Sequence, residues 1–336
     1  MSDATCRALL ALLADGRLHA GPELAARLDV SRTAVWKLVG ELRQTGVGIA
    51  SVDRRGYRLA GPCELLDADA IRGAAGHPGR PFPCEVEVHF ATESTNEYLY
   101  AAPAPPVGSP RIVFAEIQRA GRGRRGRSWF APFGSGLTFS IAWSYPEVPA
   151  ELSALSLALG VQVADALRSA GAGETMLKWP NDIVWRHRKL GGLLIQLRLE
   201  AGGAASVVVG LGLNVALSAE ARSSVAVPGA TPVADLGEAM GEQLPSRNAL
   251  AGRLLAAMCD GLERFGREGF APFAARWQEL DSLCGAEVRV TQSTGSIEGR
   301  ALGADRDGAL RVETGGRVER YLAGDVSLRA APELAV

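Results

Sequence analysis

Apolar residues recur at helical spacing over the first part of the chain. Cys6–Leu13 is predicted to form a buried helix, and Pro22–Leu28 a second, short one. After a tight turn, Ser31 is placed to cap a third helix and Gly46 to end it, because Ser favours the N-cap and Gly favours the residue after the last turn. The apolar face of that third helix consists of Val35, Leu38, Val39 and Leu42.

Two short helices joined by a turn, with polar and basic residues at the start of the second, are typical of a helix-turn-helix DNA-binding domain. Two short strands follow, Ile49–Val52 and Tyr57–Leu59, and they predict a hairpin wing with two arginines near its tip. The residues expected to contact DNA are Ser31, Arg32, Thr33, Trp36, Lys37, Arg54 and Arg55. A helical protein-interaction module with solvated arginines is the alternative.

Turn-forming residues divide the rest of the chain. Ala60, Gly61 and Pro62 interrupt the pattern, a mixture of helices and strands then runs to about Leu280, and short strands follow from Gly285. Predicted strands of the middle segment are Glu85–Phe90, Ile112–Ile117, Lys189–Leu199 and Ser206–Asn214, and its clearest predicted helix is Leu152–Ala170. We therefore predict an α+β protein of three domains, at residues 1–62, 65–280 and 284–330.

The composition is that of a folded protein without a strong overall charge. The 336 residues are 47% hydrophobic and 22% charged, with a net charge of −1, which excludes extensive disorder and a uniformly basic surface. Residues 1–60 hold nine basic and six acidic residues, a balance that suits DNA binding by this segment. The five cysteines and four histidines lack ligand spacing, so we expect free thiols and no zinc site. Without an apparent signal peptide or membrane span, we expect a cytoplasmic protein.

Residues 121–126 read Gly-Arg-Gly-Arg-Arg-Gly, which matches the GxGxxG pattern of dinucleotide-binding folds. That fold needs a helix after the loop, whereas Pro132 and Gly134 interrupt the following segment, so we reject it. The arginines in or beside the loop are Arg119, Arg122, Arg124, Arg125 and Arg127. Glycine lets backbone N–H groups approach an anion, and guanidinium groups bind carboxylates and phosphates, so the loop is predicted to bind an anion. A basic surface loop without a specific ligand is the alternative.

Other segments combine polar residues with turns or with close backbone approach. In Glu-Ser-Thr-Asn, Ser94 or Thr95 can cap the next helix, bind a ligand, or do both. In Lys-Trp-Pro-Asn-Asp, Lys178 stands at a strand end before a turn, and an ordinary surface lysine is an equal alternative. The glycine pair after Lys189 favours either a close ligand or a β-bulge, and the glycines before Asn214 also suit a ligand against the backbone.

Together these segments resemble one family, the bifunctional biotin–protein ligases and biotin operon repressors. The motifs that carry the resemblance are Glu-Ser-Thr-Asn at 93–96, Gln-Arg-Ala-Gly-Arg-Gly-Arg-Arg-Gly-Arg at 118–127, Lys-Trp-Pro-Asn-Asp at 178–182, Arg-Lys-Leu-Gly-Gly at 188–192 and Gly-Leu-Gly-Leu-Asn at 210–214. Their order and spacing match the family from about Leu9 to Leu328.

The resemblance implies a fold and a reaction. A winged helix-turn-helix domain would precede a catalytic domain with a mixed sheet, akin to class II aminoacyl-tRNA synthetases, and an SH3-like β-barrel would follow. Biotin and MgATP would give biotinyl-5′-AMP and pyrophosphate, and the biotinyl group would pass to a lysine of a biotin carboxyl carrier protein of a biotin-dependent carboxylase. The adenylate would also promote homodimerisation, and the dimer would bind operator DNA and repress biotin-synthesis genes.

The resemblance also implies roles for individual residues. Those expected to bind biotin are Ser94, Thr95, Asn96, Gln118, Arg122, Gly123, Arg124 and Lys178. Those expected to bind the adenylate are Arg125, Gly126, Arg127 and Asn214. Lys178, Arg122 and Arg124 would be catalytic, because their charge offsets the repulsion between a carboxylate and a phosphate. Asp182 is a candidate Mg²⁺ ligand.

The chain departs from the family pattern in two places. Gln196 stands where the family often has an acidic residue, and Val225–Thr231 has no counterpart of a tryptophan that covers the adenine in one member. Two other functions are alternatives: a repressor whose adenylating domain only senses biotin, and a lipoate ligase on the same fold. The intact arginine loop and the turn after Lys178 favour ligation of biotin. The strand near Lys189–Gln196 is a candidate dimer contact if it is an edge.

Overall fold

The fold is described from a computed structural model, which describes residues 3–52, 55–76, 82, 84–199, 205–225, 231–292, 295–322 and 327–330. The N-terminal unit contains the helices α1 (Asp3–Leu13), α2 (Gly21–Arg27) and α3 (Arg32–Gln44) and the antiparallel strands β1 (Ile49–Val52) and β2 (Gly56–Leu59). Ser31 Oγ accepts a hydrogen bond from Ala34 N at 3.1 Å, so the predicted cap of α3 is confirmed. The helix-turn-helix and its wing are therefore both present.

The N-terminal unit packs directly against the central domain. Phe90 and Ile117, which come from neighbouring central strands, lie in the same apolar cluster as Leu9, Leu38 and other core residues of the N-terminal helices. The N-terminal unit thus rests on strands whose ends lead into the candidate site described below.

The central domain is built on one seven-stranded mixed sheet. Its strands are β3 (Val86–Thr92), β4 (Arg111–Gln118), β5 (Gly136–Tyr145), β6 (Thr175–Lys178), β7 (Asp182–Trp185), β8 (Arg188–Leu199) and β9 (Ala205–Asn214). Their order in the sheet is β3-β4-β5-β9-β8-β7-β6, and only β3 and β4 run parallel. The predicted bulge is present, because Ile183 pairs with Gly191 whereas Val184 pairs with Lys189.

Helices cover both faces of this sheet, which explains why its strands are apolar on both sides. The helices of the central domain are α4 (Ala68–Ala75), α5 (Thr95–Ala101), α6 (Leu155–Ser169), α7 (Ala219–Val225), α8 (Leu236–Met240), α9 (Arg247–Glu268) and α10 (Ala271–Leu280). The main core lies between the sheet and α6, α9 and α10. On the opposite face, Leu99 of α5 packs with Val113, Ala142 and Val208. This second layer places the start of α5 beside the end of β4 and the middle of β8.

The C-terminal unit is a five-stranded antiparallel sheet that matches the predicted SH3-like domain. It contains β10 (Glu287–Gln292), β11 (Gly295–Ala304), β12 (Leu310–Thr314), β13 (Arg317–Tyr321) and β14 (Ser327–Ala330), in the order β13-β12-β11-β10-β14. The loop between β11 and β12 reaches the central domain, where the buried Trp179 Nε1 donates to Gly308 O at 3.1 Å. This contact holds the turn that follows Lys178. None of the described helices is both long enough and apolar enough to cross a membrane.

Candidate active site

A cavity of about 440 Å³ lies where β4, β8 and β9 approach the N-terminus of α5. This volume is within the range of small-molecule sites, roughly 300–1,000 Å³. Ten of the residues predicted from sequence line it: Ser94, Thr95, Asn96, Gln118, Arg122, Gly123, Arg124, Arg127, Asp182 and Asn214. Lys178, Arg125 and Gly126 are not part of the lining.

The floor of the cavity consists of buried polar side chains at the start of α5. Ser94 Oγ accepts from Glu97 N at 3.4 Å, so Ser94 caps the helix while it lines the cavity. Thr95 N donates to Gln118 Oε1 at 2.8 Å, and Thr95 Oγ1 lies 2.7 Å from Ser140 Oγ. Within the described part of the chain, no acceptor contacts Gln118 Nε2, which leaves this donor to a ligand.

Asn96 is held from several sides on the same floor. Its Nδ2 donates to Leu194 O at 3.2 Å and its Oδ1 accepts from Ser140 Oγ at 2.5 Å. The side chain lies against β9, where a Cβ on Gly210 would be 2.1 Å from Asn96 Oδ1. The sequence predicts that these glycines suit a ligand against the backbone, but at Gly210 the space is filled by the protein's own Asn96.

The arginine loop follows β4 and folds back on itself over the cavity. Gly123 N donates to Arg127 O at 2.6 Å, and Arg122 and Ser128 form an isolated antiparallel bridge. Arg125 has a φ of 58°, a left-handed conformation, and its exposed side chain is not part of the lining. The loop therefore brings some of its arginines to the cavity and leaves others on the surface.

Arg124 is the most enclosed arginine of the loop. Its guanidinium donates to Asn181 Oδ1 at 3.3 Å, which joins the loop to the turn between β6 and β7. Burial lowers the pKa of Arg124, and the nearby Asp182 carboxylate opposes that change. A buried cation beside a cavity favours an anionic ligand, which would replace the lost hydration.

The two lysines of the central domain have different environments. Lys189 lines the cavity, and its Nζ lies 2.5 Å from Asp182 Oδ1 and 5.9 Å from the centroid of the Trp129 ring. Lys178 is not among the lining residues, but its Nζ donates at 3.0 Å to Oγ1 of Thr231, which does line the cavity. The sequence analysis named Lys178 as a site residue and did not name Lys189. The signal for Lys189 was the scarcity of lysine, since the chain contains only three and the third lies in the N-terminal unit.

Trp129 is a second cavity residue that sequence reasoning missed. Its indole lies on the backbone of β9, because a Cβ on Gly212 would be 2.4 Å from Trp129 Cε2. Trp129 Nε1 is buried and has no hydrogen-bond partner among the described residues. An aromatic face in a cavity lined by arginines is suited to a planar ring system. The sequence signal is a tryptophan two residues after the last arginine of the loop.

Asn214 closes the end of the cavity at the start of the next loop. Its Nδ2 donates to Ala234 O at 3.1 Å and to Lys189 O at 3.4 Å, and only 3% of the residue is exposed. Asn214 thus ties the segment after residue 230 to β8, and it lines the cavity as well.

The residues predicted to contact DNA lie on the surface of the N-terminal unit. Exposed residues on or before α3 are Ser31, Arg32, Thr33, Trp36 and Lys37, and Arg55 is exposed at the wing. Trp36 is 65% exposed, which is unusual for a large apolar side chain and suits a contact surface. Arg54 lies outside the described residues.

Comparisons with known proteins agree with this geometry. Residues 89–214 match the biotin/lipoate A/B protein ligase family, residues 7–58 an HTH domain, and residues 283–329 the biotin protein ligase C-terminal domain. The chain is 37% identical to the bifunctional ligase/repressor BirA of Salmonella typhimurium, over 96% of this chain and 97% of that protein. It is 35% identical to the biotin–[acetyl-CoA-carboxylase] ligase of Mycobacterium tuberculosis, over 72% of this chain and 88% of that one.

A solved structure of a biotin protein ligase shares the fold over most of this chain. The biotin protein ligase of Aquifex aeolicus, in complex with biotin and ATP, superposes with a TM-score of 0.60 at 26% identity. The match covers 73% of this chain and 99% of that chain. With the fold, the motifs and the near full-length relatives in agreement, the chain belongs to the family of bifunctional biotin ligase/repressors.

Proposed function

We propose that this chain activates biotin with ATP and transfers the biotinyl group to a lysine of a biotin carboxyl carrier protein. One observation carries the proposal: a single cavity has hydrogen-bonding side chains on its floor and four cationic side chains on its wall, Arg122, Arg124, Arg127 and Lys189. A small molecule with a polar head group and a carboxylate matches that arrangement, since the floor pairs with the former and the cations with the latter.

The chemistry of adenylation requires those cations. The biotin carboxylate attacks the α-phosphorus of ATP, a new O–P bond forms, and pyrophosphate leaves with the electron pair of the broken bond. Two anions must approach within bonding distance, so fixed positive charge lowers the barrier by stabilising the charge that develops on the transferred group. Arg122 and Arg124 supply this charge from the loop, and Lys189 supplies it from β8.

Lys189 and Lys178 have separate roles in this proposal. Lys189 faces the reacting centre, because it lines the cavity and its ammonium is already oriented by Asp182. Lys178 acts one layer further out, where its bond to Thr231 fixes a residue of the cavity wall. The role that the family resemblance suggested for Lys178 is therefore assigned mainly to Lys189.

The remaining wall would bind the nucleotide. The Trp129 indole would offer a flat face for the adenine, in place of the tryptophan that the Val225–Thr231 segment lacks. Arg127 lines the cavity beside it, and Asn214 stands at the far end, where the adenosine would lie. Arg125 and Gly126 would contact the phosphates only if the loop changes conformation.

Magnesium would enter with the triphosphate. Asp182 is the one carboxylate in the described cavity lining. Mg²⁺ is commonly held by one or two carboxylates together with phosphate oxygens and water, so this residue fits such an ion. When bound, the ion would neutralise charge on the phosphates.

The second step needs no covalent enzyme intermediate. The amine of the carrier lysine attacks the carbonyl carbon of biotinyl-5′-AMP, the new amide bond forms, and AMP leaves with its oxygen. Until the carrier arrives, the arginine loop would exclude water from the reactive mixed anhydride.

A mass measurement on a carrier domain tests the ligase proposal. Incubation with the protein, biotin and MgATP should add the mass of one biotinyl group to the carrier, and omission of ATP or biotin should abolish the gain. No gain, together with no biotin-dependent exchange of pyrophosphate into ATP, would reject the proposal. Lipoate in place of biotin distinguishes the alternative ligase.

We further propose that the chain represses biotin-synthesis genes as an adenylate-dependent homodimer in the cytoplasm. Residues 1–62 would bind the operator, 65–280 would make the adenylate, and 284–330 would support the catalytic turn. Beyond Gly192, β8 pairs with β9 on one side, and no strand of the described chain pairs with the other side. Such an edge can pair with a second copy, and Leu197 on it is 43% exposed.

Fluorescence anisotropy with DNA from upstream of the biotin-synthesis genes tests the repressor role. Binding should tighten only when biotin and MgATP are both present, and the species bound should be a dimer by analytical ultracentrifugation. No binding in either condition, by protein that still ligates biotin, would reject repression and leave the ligase proposal standing.

A further inference from the structure

Four side chains form a continuous hydrogen-bonded series from the cavity floor to the arginine loop. Asn96 Nδ2 donates to Gln196 Oε1 at 3.1 Å, and Gln196 Nε2 donates to Glu97 Oε1 at 3.0 Å. The same Glu97 oxygen lies 3.1 Å from a terminal nitrogen of Arg122. We call this series, Asn96–Gln196–Glu97–Arg122, the floor-to-loop chain.

The two ends of the floor-to-loop chain differ in exposure. Asn96 is 4% exposed and held by β9, whereas the side chains of Glu97 and Arg122 are 35% and 60% exposed. An ion pair as exposed as Glu97–Arg122 contributes little to stability by itself. The position of Arg122 therefore depends on how firmly Glu97 is held, and Gln196 is the residue that holds it.

Gln196 is suited to this place because a carboxamide both accepts and donates. Its oxygen accepts from Asn96 and its nitrogen donates to Glu97. A carboxylate at this position could still accept from Asn96, but it would face the Glu97 carboxylate at about hydrogen-bonding distance, where like charges repel. The acid at position 97 thus requires an amide at position 196.

We propose that Gln196 is a positioning residue for adenylation: through Glu97 it orients Arg122 over the cavity while it holds Asn96 on the floor. Asn96, which would bind the head group of the substrate, and Arg122, which would bind its carboxylate, are then both positioned by the Gln196 carboxamide. This inference rests on the proposed ligase function, because it assigns the floor and Arg122 to the same substrate.

Three variants of the full chain test the proposal: Gln196→Glu, Glu97→Gln and the double variant. Gln196→Glu should raise the KM for biotin in pyrophosphate exchange about five- to tenfold, since repulsion displaces Glu97 and with it Arg122. The kcat should also fall, about two- to fivefold, because Arg122 stabilises the charge that develops on the transferred group. Glu97→Gln should raise the KM about two- to fivefold through loss of the ion pair. In the double variant, the amide introduced at position 97 can donate to the carboxylate introduced at position 196. The KM for biotin of the double variant should therefore be no more than about twice that of Glu97→Gln alone.

Glu93→Gln is the matched control, because Glu93 pairs with Arg119 of the same loop at 3.6 Å but lies outside the floor-to-loop chain. Glu93→Gln should leave the KM for biotin unchanged. When it is combined with Gln196→Glu, the KM should equal that of Gln196→Glu alone. Dissociation constants for biotin from titration calorimetry should follow the KM values, and thermal melts should show that all variants fold. A wild-type KM for Gln196→Glu, or a double variant whose KM is the product of the single effects, would overturn the inference. Absence of exchange by the wild-type protein would instead reject the proposed function.

Discussion

The indole of Trp129 lies on Gly212, so closely that a methyl group on the glycine would be 2.4 Å from Trp129 Cε2. Gly212→Ala should therefore displace the indole. Since stacking of a base on an aromatic side chain is worth about 1–3 kcal/mol, the KM for ATP in pyrophosphate exchange should rise about tenfold. The KM for biotin should change much less.

The control for this substitution is Gly173→Ala, since a Cβ at Gly173 would meet no atom within 4 Å. That variant should keep both KM values. Equal KM values for ATP in Gly212→Ala and in the wild-type protein would show that Trp129 does not support the nucleotide.

A buried ion pair anchors the segment that joins the N-terminal unit to the catalytic domain. Arg247 lies 2.9 Å from Glu116, with their side chains only 7% and 3% exposed, and its NH1 also donates to Glu64 O at 2.6 Å. Glu116→Gln should lower the free energy of unfolding by about 3–5 kcal/mol, because it leaves the buried Arg247 charge without a counter-ion. Urea unfolding measures this directly.

The double variant Glu116→Gln/Arg247→Met gives a further check on that pair. Removal of both charges should cost less than the sum of the single losses, since the second change eliminates the uncompensated charge. Strict additivity of the two losses would contradict a direct interaction.

Asp281, at the junction with the C-terminal unit, should make stability depend on pH. Burial raises the pKa of its carboxyl to about 6, although Leu283 N donates to it. The folded state therefore keeps a proton that the unfolded chain releases near pH 4, so this contribution is fully present below pH 4 and is lost as the pH rises through about 6. From a shift of about two units, the loss is roughly 3 kcal/mol at most.

Asp281→Asn should remove that dependence. The thermal midpoint of Asp281→Asn minus that of the wild-type protein should be larger at pH 8 than at pH 4. A difference between the two proteins that stays constant from pH 4 to pH 8 would contradict burial of an ionisable group at this position.

The exposed residues of the N-terminal unit should contribute to DNA binding and not to ligation. Arg55→Ala should remove one phosphate contact and so reduce the slope of log K against log salt concentration by about one. Trp36→Ala should weaken DNA binding about tenfold through loss of a base or sugar contact. Anisotropy at several salt concentrations measures both effects. Either variant would contradict this division of roles if its rate of biotin transfer fell in parallel.

Local chemistry predicted the fold well. Ser31 caps α3 as expected, and the apolar run Ile112–Ile117 lies within β4, because capping and strand formation depend on neighbouring residues. Ser94 was predicted to cap a helix or bind a ligand for the same reason, whereas Gln118 was predicted only through the family resemblance; both line the cavity.

Tertiary packing decided what the sequence could not. Lys178 and Lys189 both flank the hairpin of β6, β7 and β8, and which lysine faces the cavity depends on the bulge beside Lys189 and on the contact of Lys178 with Thr231. The glycine that receives Trp129 lies far from it along the chain, so no local pattern marks the pair. Such relationships arise only when distant strands meet.

Pyrophosphate exchange by Lys189→Ala and Lys178→Ala tests the central claim most directly, namely that the cavity holding Lys189 is where biotin is adenylated. Lys189→Ala should reduce kcat/KM about 10²- to 10³-fold with the fold intact by thermal melting, because it removes a charge from the reacting centre. Lys178→Ala removes a side chain that bonds to the lining residue Thr231 and is not itself in the lining, so this variant should lose less than about tenfold in kcat/KM. A larger loss in Lys178→Ala than in Lys189→Ala, or wild-type exchange by Lys189→Ala, would contradict the account.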